Sequence, residues 1–315
     1  VTDRTARAAT VASVGPHPDA DRLDIATVDG YPCIVKRGEF RAGDEVVYVP
    51  VDTTVPTAHP AFAFLAPRAG KDGRCRIKAL RLRGVFSMGL VLPAQDIAAL
   101  DVRPYEAPWE IDSSGEDAPP PSPEPPRYEL AALRRFPDVL VPGEPVVVTE
   151  KLHGSNGRVY RAPDGVLHVG SHGRWKLRDG NSEWAVAVRA NPAVRNIPPG
   201  ICVYFECVGR VGGFPYGVTM GQVAMRVFDV FDVQTRRFFN YDVCGDWADE
   251  RGFDFVPFLY VGPYDHAQVV GLAEGPSRLA PHTREGIVVR PVAERWDQRC
   301  GRVGLKHHGE GFLLR

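Results

Sequence analysis

The chain has 315 residues with 38 Lys and Arg against 39 Asp and Glu, a formal net charge of −1. That balance argues against a protein that coats nucleic acid through one broad positive field, while leaving local patches open. The length leaves room for two domains, each with its own core. No apolar run reaches membrane-spanning length and the start, "VTDRTARAAT", lacks the apolar centre of a signal peptide, so a cytoplasmic protein is expected. The six cysteines are scattered without a CxxC pair, which argues against a zinc ribbon or a disulfide framework.

In chain order, the first elements are short β-rich segments separated by turn signals: "ATVDGY", "PCIVKRGEF", "GDEVVYVP", "CRIKALRLRG" and "SMGLVLP". Such spacing predicts a small barrel or sandwich. Arg74, Arg76 and Lys78 alternate with Cys75, Ile77 and Ala79, so on a strand they share one face. Arg81 and Arg83 repeat the pattern with shifted parity, which predicts a bend near Leu80. From Arg68 to Arg83 seven basic residues face only Asp72. The stripe reads either as a solvated strand face or as a track for a phosphate backbone, and the local imbalance favours the track.

Residues 112–126, "DSSGEDAPPPSPEPP", are acidic and then proline-dense, a composition that favours extended chain and predicts a linker between a domain at 1–111 and another at 127–315. Behind it, "YELAALRRFPDVL" has a helical apolar rhythm that stops near Pro137. Strands are expected in "EPVVVTEKL", "GRVYRA", "GVLHVGS", "GICVYFECV", "AMRVFDVFDV", "GIVVRP" and "GRVGLKHH", and helices in "NSEWAVAVRAN" and "YDVCGDWADERG". The second half is therefore an α+β domain with many antiparallel strands.

Five charges interrupt or end those apolar strands: Lys151, Glu206, Asp229, Glu285 and Lys306. One strand-end charge ordinarily reaches solvent. Five in one domain point to a shared polar cleft, and nucleotidyl transfer is a chemistry that such a set can support. A lysine amine must be neutral to attack phosphorus, and a second cation with a metal would lower its pKa. Carboxylates could hold that divalent metal, directly or through water.

The segments "EKLHG", "YFE", "RVFDVF", "EGIVVR" and "GLKHH", in that order, resemble the covalent nucleotidyltransferases that include ATP-dependent ligases and mRNA capping enzymes, over about Pro142 to Leu314. "EKLHGSN" is most similar to the RNA ligase branch, with His153 where DNA ligases and capping enzymes usually have aspartate. The N-terminal half resembles the OB-type module joined to one group of RNA ligases, and with only nine residues after Lys306 no OB domain is expected behind the core. The resemblance implies an OB-like barrel followed by an adenylation domain on antiparallel sheets. It also implies an ATP-dependent enzyme, with Mg2+ or Mn2+, that joins RNA ends for repair, with RNA or an RNA-containing nicked duplex as partner and no obligate protein partner.

By that resemblance Lys151 is the nucleophile that takes AMP, and Lys306 contacts the α-phosphate. Glu150, Asn156, Arg174, Glu206, Phe228 and Glu285 belong to the nucleotide site, Glu206 and Glu285 to the metal, and Arg74, Arg76, Lys78, Arg81 and Arg83 to a nucleic-acid face. Phe228 and Met225 differ in strand parity, so only one can stack on adenine, and Phe228 is favoured. Relatives often carry a second lysine where this chain has His308, which is only partly charged near neutrality. Arg158 reads equally well as a plain strand residue, and Arg290 has no assigned role. A GTP-dependent capping-type transferase and an RNA-binding OB protein with an inactive second domain are the alternatives.

Overall fold

The computed structural model describes residues 5–105, 116–209 and 214–314. The chain divides into two compact units, the first made of Val1–Ala107, Ala132–Phe136 and Glu310–Arg315, the second of Pro108–Ala131 and Pro137–Gly309. The boundary expected at residue 111 lies outside the described residues, as do positions 112–115 of the proline-dense stretch. Among the described residues no helix is long and apolar enough to cross a membrane.

The first unit is a set of short strands, as its turn-punctuated sequence predicts. They are β1 (Arg7–Pro16), β2 (Leu23–Val28), β3 (Tyr31–Lys36), β4 (Glu45–Val49), β5 (Thr53–Pro56), β6 (Arg74–Ile77), β7 (Leu80–Leu82), β8 (Val85–Ser87), β9 (Leu90–Pro93) and β10 (Arg103–Pro104). One sheet runs β3-β2-β1-β4-β9 and another β10-β5-β6, and β7 pairs with β8. Strand β4 is buried on both faces: Val46 and Tyr48 enter one apolar cluster, Val47 and Val49 the other. The parity change in the basic stripe falls in the break between β6 and β7, with Arg83 at φ 45 in the turn that follows.

The second unit holds β11 (Ala131–Ala132, whose second residue belongs to the first unit), β12 (Pro145–Lys151), β13 (Ser155–Arg161), β14 (Leu167–Ser171), β15 (Trp175–Lys176), β16 (Ile201–Val208), β17 (Ala224–Asp232) and β18 (Arg237–Phe238). These are followed by β19 (Phe258–Pro263), β20 (Gly286–Pro291), β21 (Trp296–Asp297), β22 (Gly301–Arg302) and β23 (Leu305–His308). Its five-stranded sheet runs β11-β23-β20-β12-β19 and its six-stranded sheet β15-β14-β13-β16-β17-β18. Helices α1 (Glu183–Ala190) and α2 (Tyr241–Glu250) form where the sequence predicts them, α1 capped by the Ser182 side chain. Their apolar faces join Val147, Val203, Phe205 and Val227 in the main core. The opposite face of the six-stranded sheet carries Tyr128, Tyr160, Trp175, Tyr204 and Phe231.

The segment "YELAALRRFPDVL" is not an α-helix: it forms the short β11 and a 3-10 turn over Leu133–Arg135. Partners outside the segment decide this, since the Tyr128 hydroxyl bonds to Asp229 at 2.8 Å and the Ala131 amide to the Gly304 carbonyl at 3.3 Å. The second takes the Ala131 amide out of any intrahelical bond, and an isolated helix of this length is marginal. The described part of the proline-dense stretch lies along the second unit. Glu116 accepts from the amides of Asn181 and Ser182, Asp117 binds Arg174 and Lys176, and Glu124 accepts from the Trp175 indole.

Candidate active site

Sheet register explains why charges scattered along the sequence meet. Lys151 is the last residue of β12 and stands opposite Gly286 on β20, which stands opposite His308 on β23. Glu285, one residue before β20, therefore lies against both. Lys151 Nζ donates to Glu285 Oε1 at 2.6 Å, and His308 Nε2 lies 3.3 Å from the same oxygen. His153 Nδ1 is 3.8 Å from the other oxygen, Oε2. On the six-stranded sheet, Asn156 of β13 pairs with Glu206 of β16. Lys306 shares a strand face with His308, while Leu305 and His307 turn to the other face, where both are buried.

The Glu285 side chain is only 7% exposed. Burial works against its charge, but Lys151 overcomes that, helped by His153 and His308, and holds the carboxyl well below the usual range. Glu206 keeps part of its surface exposed, yet burial pushes its carboxyl up to about 8; Lys151 and a hydrogen bond from the Gly154 amide pull down, and the Glu285 charge pushes up. Burial also lowers His308, against its bond to Glu285.

Glycines in the segment after Lys151 serve the sheet. A Cβ on Gly154 would stand 2.4 Å from the Cys207 carbonyl oxygen, and one on Gly157 would stand 2.6 Å from the rings of Phe205 and Trp184. They allow β13 to lie close to β16 and α1.

Glu150, on the opposite strand face from Lys151, is 1% exposed. Its Oε2 accepts from the Arg278 amide at 2.8 Å, and its buried Oε1 has no protein hydrogen-bond partner. Phe228 falls at a bulge, because Tyr204 pairs with Asp229 and Phe205 with Val227. Met225 joins the main core, whereas the Phe228 ring lies 4.8 Å from that of Tyr128, which packs on Tyr204. Tyr204 and Glu206 share a strand face, so Phe228 is on the sheet face that carries Glu206.

Asp229 departs from the expected cleft. It is fully buried, bonded to Arg290, to Arg302 at 2.6 Å and to the Tyr128 hydroxyl at 2.8 Å. Burial opposes its charge, and Arg302 and Arg290 hold it ionised below the usual carboxylate range. Arg290, left without a role by sequence, is thus the β20 end of a bridge to β17. Arg158 is a core side chain, 1% exposed, lying over the Trp175 ring at 4.0 Å. Arg174 stands on the turn between β14 and β15, 71% exposed, with its guanidinium 2.9 Å from Asp117.

In the first unit the basic stripe divides. Arg74 pairs with Asp101 at 2.8 Å and Arg76 with Asp52 at 2.6 Å, the latter guanidinium lying over Tyr105. Arg81 pairs with Glu310 at 2.9 Å, Arg83 donates to the Asp19 carbonyl, and Lys78 is exposed. Sequence reading missed Phe214, Tyr216 and His282, whose rings pack beside His153.

Among curated protein sequences none matches. A Naegleria gruberi RNA ligase with PPi has 22% identity and a TM-score of 0.82 over 99% of this chain and 98% of its own. A point mutant of that ligase with ATP and Mn has 23% identity and a TM-score of 0.82 over 98% of each chain. Another mutant, with AMP and Mn, has 21% identity and a TM-score of 0.81 over 98% of each. These likenesses establish the shared two-part fold. An OB-fold domain model matches residues 6–94. The RNA ligase model matches residues 144–308, more than half of the chain, and includes Lys151, Glu206, Glu285 and Lys306. By that match the chain belongs to the RNA ligase family.

Proposed function

We propose that this protein is an ATP- and divalent-metal-dependent RNA ligase that joins 3'-hydroxyl and 5'-phosphate ends, with nicks in RNA-containing duplexes as its substrate and RNA repair as its role. The observation that carries the reading is Lys151 Nζ at 2.6 Å from the buried Glu285, inside the matched family region. The ATP and Mn of the similar ligase structures agree with it. A cytoplasmic location belongs to the same reading, supported by six free cysteines, five of them buried.

In the first step the Lys151 nitrogen, once deprotonated, bonds to the α-phosphorus as the bond to pyrophosphate breaks. Glu285 is an acceptor in contact with that amine and fixes its place. AMP then passes to a 5'-phosphate oxygen as the nitrogen–phosphorus bond breaks. A 3'-hydroxyl finally attacks that phosphate and AMP leaves. Lys306 supplies charge at the α-phosphate. The orphaned Glu150 Oε1 suits a donor such as the adenine amino group, and Phe228, backed by Tyr128, suits the face of the base.

The donor set also suits a divalent cation. Among the described residues no three His, Cys, Asp or Glu side chains form a complete cage. Glu206, whose carboxyl burial pushes up to about 8, would give up its proton to a cation, and with Glu285 it would hold the cation directly or through water, phosphate oxygens completing the shell. Such a cation offsets phosphate charge and favours the neutral lysine.

Incubation with radiolabelled ATP and Mg2+ or Mn2+ tests the reading. A covalent AMP adduct that is lost in Lys151→Ala is expected. No adduct, or one unchanged by the substitution, overturns it, and labelling by GTP instead would favour the capping-type alternative.

A further inference from the structure

Beyond Lys151 the backbone leaves β12 and turns into β13 through His153 and Gly154. Of the two amides in that turn, Gly154 donates to Glu206 and His153 to the Tyr216 hydroxyl at 2.8 Å. Tyr216 is 1% exposed and its backbone sits at φ 48, a left-handed conformation that a bulky side chain keeps only where its surroundings over-determine it. Here the surroundings are aromatic. Phe214 stacks on Tyr216 with centroids 6.3 Å apart and meets the His153 imidazole edge-on at 4.8 Å. His282 stands nearly perpendicular to both rings, at 4.9 Å from Phe214 and 4.8 Å from Tyr216. Backbone and ring of His153 are thus held together, with its Nδ1 turned towards the carboxylate that binds Lys151.

We infer that Tyr216 is a positioning residue for the nucleophile: its hydroxyl, backed by Phe214 and His282, fixes the His153–Gly154 turn and through it the place of the Lys151 amine. The inference rests on the ligase reading above. A lysine at the last position of a strand has no following ladder bonds to hold it, so an external clamp on the next turn is the means by which its reach is set. Removing the hydroxyl leaves the rings packed and takes away the bond on the His153 amide, the Gly154 bond to Glu206 remaining.

Tyr216→Phe tests this in two reactions, each compared with the wild type. One is transfer of radiolabelled AMP from ATP to Lys151 with Mg2+ or Mn2+. The other is sealing of an RNA whose 5' end already carries AMP, in which no bond to Lys151 forms or breaks. Labelling at saturating ATP is expected to slow about tenfold, the scale of one lost hydrogen bond, with the KM for ATP and the sealing rate near wild type. Labelling at the wild-type rate overturns the inference. So does equal slowing of both reactions with a lowered melting temperature, which is the signature of a merely structural role. A wild-type chain that takes no label overturns the ligase reading itself and this assignment with it.

Discussion

Glu206 and Glu285 flank one lysine, and their surroundings push them in opposite directions. Glu206 is raised from 4.5 to about 8, so its protonated form belongs to the folded state. That contribution is complete below the ordinary value and is lost as pH rises through the raised one. The metal-free wild type should therefore lose stability relative to Glu206→Gln between about pH 5 and 8, by at most about 1.4 kcal/mol per pH unit. Thermal melts across that range check it, and a difference that does not change with pH would contradict it. Lys151, Glu206, Glu285 and Lys306 were picked out as expected site residues because each sits at a fixed place in a short motif. Tyr216 was not, because its role depends on a hydroxyl meeting an amide 63 residues away in the chain.

At the scale of elements, the Asp229 bridge ties β17 to β20, and so ties the sheet that carries Glu206 to the sheet that carries Glu285. Asp229→Asn leaves the buried Arg290 without its counter-charge, while Arg302 keeps Glu294, and a loss of about 3–5 kcal/mol is expected. Chemical denaturation should show it as a lowered midpoint with an unchanged slope. An acidic residue within "VFDVF" looked like a cleft residue because alternation alone cannot reveal a bulge, and the bulge at Phe228 resets which side each neighbour faces. The same limit explains the failed helix at "YELAALRRFPDVL": its apolar rhythm is real, but Tyr128 is claimed by Asp229.

Over the whole molecule, the stripe expected to bind nucleic acid is chemically mixed. Arg74 and Arg76 are paired with Asp101 and Asp52, whereas Lys78 is exposed and Arg83 donates to a carbonyl. If the first unit binds RNA through this face, Lys78→Ala with Arg83→Ala should weaken binding and reduce the slope of log affinity against log salt by about 0.7–0.9 for each phosphate no longer neutralised. Arg74→Ala with Arg76→Ala should leave that slope unchanged and loosen the β10-β5-β6 sheet instead. Titrations at several salt concentrations separate the two pairs.

The sequence by itself determined the order of a strand-rich module and a larger α+β unit, the two helices of the latter, and the charges around Lys151. These are carried by local pattern: turn residues, apolar alternation and short motifs whose chemistry depends on residue type. Only the tertiary structure decided which charges meet. Register across β12, β20 and β23 gathers Lys151, Glu285 and His308, and the contacts of Glu285 with that group, against a burial that raises both carboxyls, set it apart from Glu206 in acidity. Asp229 is withdrawn into the core, and a strained tyrosine closes on the turn behind the nucleophile. Desolvation and long-range pairing depend on neighbours distant in the chain, and a linear pattern does not contain them.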